Sequence, residues 1–366
     1  MSRTLSACLL ALLVAVSCTG PVQNGRETIP LVNSIAGNAG SPEHIMLSSF
    51  AKIPSSGSIF VAGSPQLCSL IGDSFQDCDD FDNVRARLFS DGLKDFSGET
   101  IALASDEAFA PYGDYVASEG SDAMREVTVR TALAALREKC NISIYDIEGN
   151  KSKTPAKIII LADPWMLLRG KFDVDTLFSL TSCKVPVVSP LELLMESAFA
   201  GEKKYFNIGL MCDSLYIGTG VYKSVFEEKV AEHSIMGTGY FEAATSGSEG
   251  HILAEFLDKY MASGNPAPLD VLLVDDWSVN KQALMAELSD IRDFKKEESM
   301  RYGKMISPGF TIFCSSELTM HECYLTMRKL SLFTHRIALP ELKFYTIKPL
   351  PGGKTQEFLL IPSENV

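Results

Sequence analysis

From Glu99 onward, short runs that are apolar on both faces alternate with longer stretches whose apolar positions recur near helical period. "ETIALAS" is followed by "SDAMREVTVRTALAALREKC", where Met124, Val127, Leu133, Leu136 and Cys140 recur near that period. Next come "ISIYDI", "KIIILAD", a helical stretch around "DVDTLFSLTSC", and "VPVVS". Strands buried on both faces and separated by helices belong to a parallel sheet covered on both sides. The second half runs the same way, from "YFNIGLMCD" through "GVYKSVFEEKVAEH", "IMGTGYFEAAT", "EGHILAEFLDKYMA", "LDVLLVDD" and "NKQALMAELSDIRDFKKEE" to "GFTIFCSSE". Ahead of all this, "IMLSSF" and "SIFVAG" read as two strands that open the folded body. The pattern predicts an α/β protein with two doubly wound, Rossmann-like lobes, each on a parallel sheet, and a ligand cleft between them.

The strand ends repeat as well. Asp106 and Asp213 close strands 107 positions apart, Trp165 and Trp277 stand 112 apart, and Glu192 and Glu317 stand 125 apart, which reads as one unit used twice. Ligands bind outside the carboxyl ends of parallel strands, so these residues are expected to converge. Both tryptophans of the chain follow a strand-terminal aspartate. A tryptophan face stacks on a sugar or base and a carboxylate accepts hydroxyl hydrogen bonds, so Asp163 with Trp165 and Asp275 with Trp277 suit a polyol or nucleoside. Packing at a lobe seam and helix N-capping are the plainer roles for the same residues. The full candidate set is Asp106, Tyr112, Asp163, Trp165, Asp213, Ser214, Thr219, Ser246, Asp275 and Trp277, with the two tryptophans as stacking groups.

Composition sharpens this picture at two points. The chain has 366 residues and is 46% apolar, enough for two domains with substantial cores. Its net charge of −13 argues against nucleic acid as a partner. At the N-terminus Arg3, the apolar run "CLLALLVAV" and "AVSC" resemble a bacterial lipobox: residues 1–17 would be a signal, Cys18 the lipidated residue, and 18–40 a tether. The apolar run is too short to span a bilayer, which needs about 20 residues. Residues 41–200 then form the N-terminal lobe and 201–366 the C-terminal lobe with the hinge-forming crossovers. Several of the seven cysteines beyond Cys18 sit in apolar runs, Cys212 and Cys314 among them, where they act as small hydrophobes, although Cys68 with Cys78 and Cys314 with Cys323 are candidate pairs.

Two α/β units in tandem behind a lipobox resemble the type I periplasmic binding protein superfamily. The resemblance covers residues 58–366 and rests on element order and strand-end chemistry. It implies a lipid-anchored protein of the bacterial cell envelope that closes over a small polar ligand (a sugar, nucleoside or amino acid) and is not an enzyme. No cofactor or metal is implied; the membrane is touched through the lipid alone, and a membrane transporter is a candidate partner. It also implies crossovers near 197–207 and between Val274 and Gly309, with "ELKFYTIKPLPGGKTQEFLLIPS" as a closing strand pair.

Other chemistries compete. A surface lipoprotein could bind a protein or glycan through a flat face. "LIGDSF" resembles the Gly-Asp-Ser block of some esterases, but no aspartate stands three residues before His321 or His335 to complete a hydrolase. The acidic run Asp73–Asp82 lacks the glycine and distal glutamate of a calcium loop, and Cys314, His321 and Cys323 match no strong zinc spacing. Gly218 and Gly220 suggest a dinucleotide loop, but its third glycine would fall at Lys223.

Overall fold

The computed structural model describes residues 26–200, 205–235, 237–246, 251–264, 267–334 and 336–364. The expected signal, Cys18, most of the tether and His335 lie outside the described residues.

The apolar runs become strands. The first half supplies β1 (Ser58–Gly63), β2 (Thr100–Asp106), a small hairpin of β3 (Lys139–Cys140) and β4 (Lys151–Ser152), β5 (Ala156–Leu161) and β6 (Val187–Val188). The second half supplies β7 (Tyr205–Met211), β8 (Gly237–Ala243), β9 (Leu269–Val274) and β10 (Ile306–Cys314), and then β11 (Glu341–Pro349) and β12 (Phe358–Ser363). Every residue of β1, β2 and β5 is buried, as a sheet covered on both faces requires.

One sheet runs β12-β11-β2-β1-β5-β6 and the other β10-β9-β7-β8. All pairings in both are parallel except β11 with β12. Without β11 and β12, each sheet reads second-first-third-fourth in chain order, so β1 matches β7, β2 matches β8, β5 matches β9 and β6 matches β10. The direction in which successive strands are added reverses between β1 and β5 in one sheet and between β7 and β9 in the other, and such switch points are where crevices open. The two-lobe doubly wound α/β fold is therefore present. Asp163 with Asp275, Trp165 with Trp277 and Glu192 with Glu317 follow equivalent strands. The pairing of Asp106 with Asp213 is corrected: Asp106 ends a second strand, and Asp213 follows a first one.

The lobes are more entangled than a simple tandem. β9 and β10 are parallel neighbours, so the crossover expected between Val274 and Gly309 does not occur. The chain returns through the helix Ser315–Lys329, which buries Met320, Cys323, Tyr324 and Met327 in the first lobe's core. β11 then pairs with β2, so residues 341–363 belong to the first sheet rather than to a lobe of 201–366. In exchange, the helix Pro190–Phe199 packs on β9 and β10 as well as on the returning helix. One apolar core consequently holds Trp165 and Met166 together with Ile208, Leu210 and Val225.

Three local readings change for identifiable reasons. Residues from Ile29 on are not tether: Pro30–Gly37 and Pro42–Ser49 are helices that bury Val32, Ile35 and Leu47. Each has proline in its first turn, and Ser41 Oγ accepts the His44 amide at 3.2 Å, so "IMLSSF" is helical rather than a strand. "ISIYDI" is a loop because Asp146 accepts the amides of Ile142 (2.9 Å) and Asn150 (3.0 Å), which diverts this backbone from a ladder. "LIGDSF" lies inside the helix Pro65–Asp77, where Ser74 Oγ donates to the Leu70 carbonyl (2.9 Å), and not on a nucleophile turn. Gly72 packs closely there: a Cβ would stand 2.7 Å from Leu103 Cδ1, so that side chain would have to move.

Candidate functional site

The residues after the four strands at the two switch points meet. Ser64 follows β1, Ala162 and Pro164 follow β5, Asp213 follows β7, and Asp275, Asp276 and Trp277 follow β9; all line one cavity with Tyr216 and Tyr222. The cavity measures about 30 Å³, room for about one water. Larger ligands require the lobes to part.

Three buried carboxylates stand around this crevice, each accepting from a tyrosine. Asp106 accepts the Tyr112 hydroxyl at 2.8 Å, and its other oxygen holds the amides of Ala108 and Phe109, both at 2.9 Å. Asp163, from the first lobe, accepts the hydroxyl of Tyr216, from the second, and also the Trp165 amide at 2.8 Å. Asp275 accepts the Tyr222 hydroxyl at 2.7 Å and has the Ser315 hydroxyl as a second partner. Tyr216 and Tyr222 sit edge to face with centroids 5.7 Å apart, so the two dyads that follow β5 and β9 adjoin. The tyrosines are placed by the loop and helix start after β7: Asp213 caps the short turn Ser214–Tyr216 by accepting the Leu215 amide at 2.9 Å, and left-handed Gly220 opens the helix Val221–Glu232.

Burial pushes all three carboxyls up, Asp106 to about 6, Asp163 to about 7 and Asp275 to about 6. For Asp163 the neighbouring Asp275 and Asp106 charges raise it further, against the opposing pull of Tyr216 and the Trp165 amide. A folded carboxyl raised above its unfolded value of 3.8 binds its proton more tightly in the native state. Its contribution to stability is therefore lost as pH rises from about 4 to about 7. Asp163→Asn removes this step, and chemical denaturation is expected to show the variant gaining on the wild type by on the order of 2 kcal/mol between pH 5 and pH 8. A pH-independent difference would show that Asp163 is ionised throughout.

The other expected residues fall elsewhere. Trp165 does not line the cavity; it is buried in the core shared by the lobes, with the Arg169 guanidinium 5.7 Å over its ring, so the expected pair of stacking tryptophans is not assembled and Trp277 alone borders the cavity. Thr219 donates to the Tyr216 carbonyl (2.7 Å) and serves its turn, Ser214 is exposed and bonds Asp213 (3.3 Å), and Ser246 bonds Glu255 (2.6 Å) away from the cavity. Tyr112 is buried behind the crevice as the partner of Asp106. Tyr216 and Tyr222 are absent from the residues that the sequence pattern singles out. The signal available for Tyr222 is its place beside Val221, Val225 and Phe226 on the buried face of its helix.

Seven cysteines, from Cys68 to Cys323, are free and buried, so the candidate pairs Cys68–Cys78 and Cys314–Cys323 do not form. Burial raises the thiols, Cys183 to about 11 and Cys314 to about 12, with Cys68, Cys212 and Cys323 also raised, which removes thiolate chemistry from the crevice. Titration with a chromogenic disulfide is expected to detect none of these seven before denaturant is added; rapid labelling of Cys212 in the native protein would contradict its burial. In the acidic loop, Asp95 accepts the amides of Asp80 and Phe81 (2.7 and 3.2 Å), and Asp79 those of Asp91 and Gly92 (both 3.1 Å). Among the described residues no helix is long and apolar enough to cross a membrane.

No protein-family model matches the chain, and no curated protein matches it. It is similar to a solved glutamate racemase from Francisella tularensis in complex with D-glutamate, at 13% identity over 80% of this chain and 88% of that one, with a TM-score of 0.46. It is also similar to glutamate racemases from Bacillus anthracis (13% identity, 79% and 88% covered, TM-score 0.44) and Campylobacter jejuni (13%, 81% and 94%, 0.41). The expectation of a non-enzymatic protein for ligand capture and transport is thereby corrected. The similar structures are named as enzymes.

Proposed function

We propose that the chain is an enzyme that moves a proton on and off a small polar substrate held between its lobes. The observation that carries this is the meeting, in one crevice, of two carboxylate–tyrosine dyads that follow equivalent strands, Asp163 with Tyr216 and Asp275 with Tyr222. Asp275 lines the cavity and serves as the base that accepts the substrate's proton. Tyr216 lines the same cavity and gives its proton to the other face of the substrate, taking one in turn from protonated Asp163. One cycle leaves Asp275 protonated and Asp163 ionised; opening to water resets both. Carboxyls near 6 and 7 are matched to proton transfer at neutral pH. Two-sided transfer of this kind inverts a carbon centre, and amino-acid racemisation is one reaction of that class.

The test is proton exchange itself. The full chain is incubated in D₂O with single amino acids, hydroxy acids and amines, and loss of the proton signal next to the functional group is followed by NMR. At least one compound should exchange faster than it does with the Asp163→Asn/Asp275→Asn double variant. Equal rates for every compound would end the proposal.

A further inference from the structure

On the strand ladder Asp275 is placed from both sides. Its amide donates to the Met211 carbonyl of β7 at 2.8 Å. On the other side Val274 pairs in register with Cys314, so the next residues along, Asp275 and Ser315, come side by side where β10 passes into the helix Ser315–Lys329. Both are buried, Ser315 to 1% exposure, and the Ser315 hydroxyl donates to the carboxylate that Tyr222 holds at Oδ2. The structure assigns Ser315 as the residue that positions the Asp275 carboxylate for proton transfer; the transfer, though not the hold on the carboxylate, rests on the acid–base reading above.

Nothing in the shared topology requires such a pair. In the first lobe the same two ladder positions hold Ala162, whose amide donates to the Ala62 carbonyl at 2.9 Å, and Pro190, which opens the helix Pro190–Phe199 as Ser315 opens its own. Neither has a polar side chain, so at these positions a buried carboxylate with a hydroxyl beside it is peculiar to the second lobe. Held by Tyr222 from the helix Val221–Glu232 and by Ser315 from the helix after β10, the carboxylate cannot turn without losing a bond. A donor to the ionised form also favours that form. Burial pushes Asp275 up to about 6; Ser315 leads the groups that oppose this, ahead of Tyr222, and Asp276 adds to the rise. The other titratable groups around it are Asp163 and Tyr216 at the lobe boundary and Cys212 after β7, while Glu317, further along the helix, is ion-paired with Lys281. Ser315 thereby helps to keep Asp275 ionised at a pH where Asp163 still holds its proton, the state from which the transfer starts.

The experiment is a carboxyl-carbon NMR titration of the full chain, with the Asp275 signal identified by its loss in Asp275→Asn, run beside the pH profile of proton exchange in D₂O. Ser315→Ala should raise the Asp275 midpoint by about one pH unit, the worth of one hydrogen bond to a charged group, and carry the acid limb of the exchange profile with it. At pH 5 the exchange rate should then fall about tenfold. Ser315→Cys keeps a weaker donor of similar size, and it should move the midpoint in the same direction by a smaller amount; it carries the test should the alanine variant fail to fold. A serine that only filled space or opened the helix would alter stability and leave the titration alone. An Asp275 midpoint unchanged or lowered in the folded variant therefore overturns the assignment. The two readings fail separately: a raised midpoint with no compound exchanging in the wild type keeps the hold of Ser315 and discards the acid–base reading, whereas exchange in the wild type with midpoint and limb unmoved in the variant does the reverse.

Discussion

Asp275→Asn should slow proton exchange on the enzyme's substrate by about 10²–10⁴-fold, the range expected when a positioned general base is lost. The amide cannot accept a proton at neutral pH, yet it is nearly isosteric and retains an oxygen for the Tyr222 hydroxyl, so the fold should survive. Asp163→Asn should lose a comparable factor, because Tyr216 is then backed by a group with no proton to pass on. Tyr216→Phe leaves both carboxyls in place and removes only the relay. In the wild type, Asp275 must be ionised while Asp163 is protonated. The carboxyls raised to about 6 and about 7 therefore define a narrow bell-shaped profile, whose limbs belong to the coupled pair rather than to either residue alone. Single-turnover exchange rates from pH 5 to 9 measure this directly. A loss of less than threefold in Asp275→Asn, with the bell retained, would remove Asp275 from the chemistry and leave it as a structural partner of Tyr222.

Much of this crevice is legible in the amino-acid sequence, for a definite reason. Strands β5 and β9 occupy the same place in two copies of one topology, and a strand buried on both faces is an apolar run whose end is easy to see. The aspartate and tryptophan after each run can thus be paired by offset alone. Offset misassigns Asp106 and Asp213, because the distance between strand ends carries no information on which strand of the order each one closes. The true counterpart of β7 is β1, whose end, Gly63 and Ser64, has no side chain as conspicuous as an aspartate. The tyrosines escape for another reason. Tyr216 is drawn to Asp163 across the lobes, and contacts between distant segments leave no local period in a sequence. "ISIYDI" shows the opposite failure: its β-branched residues favour a strand, but the Asp146 side chain supplies the backbone with hydrogen bonds that a neighbouring strand would have made.

At the opposite end of the first sheet, Lys157→Met should destabilise the protein by about 3–5 kcal/mol, the cost of stranding one member of a buried ion pair. Lys157 and Glu99 are both fully buried and bonded to each other. The Lys157 ammonium also donates to the carbonyls of Ser55 (2.9 Å) and Leu332 (2.7 Å), while Glu99 accepts the Thr334 amide at 2.7 Å. Leu332 and Thr334 belong to the segment that carries the chain back from the second lobe to β11, so the pair fastens the return crossing to the start of β2 and β5. With methionine at 157, the Glu99 carboxylate keeps the Thr334 bonds but loses its only ion-pair partner among the described residues. The double variant Lys157→Met/Glu99→Leu should recover most of the loss, because desolvation of both charges disappears together. Urea unfolding of the two single variants and the double supplies the cycle. Because this pair lies at the amino ends of the strands and the crevice at their carboxyl ends, proton exchange per folded molecule should be unchanged in Lys157→Met. A loss below about 1 kcal/mol would mean that water reaches Glu99, and the return crossing would then rest on the apolar face of Ser315–Lys329 and on bonds such as Gly98 N–H to the Ala338 carbonyl (2.7 Å).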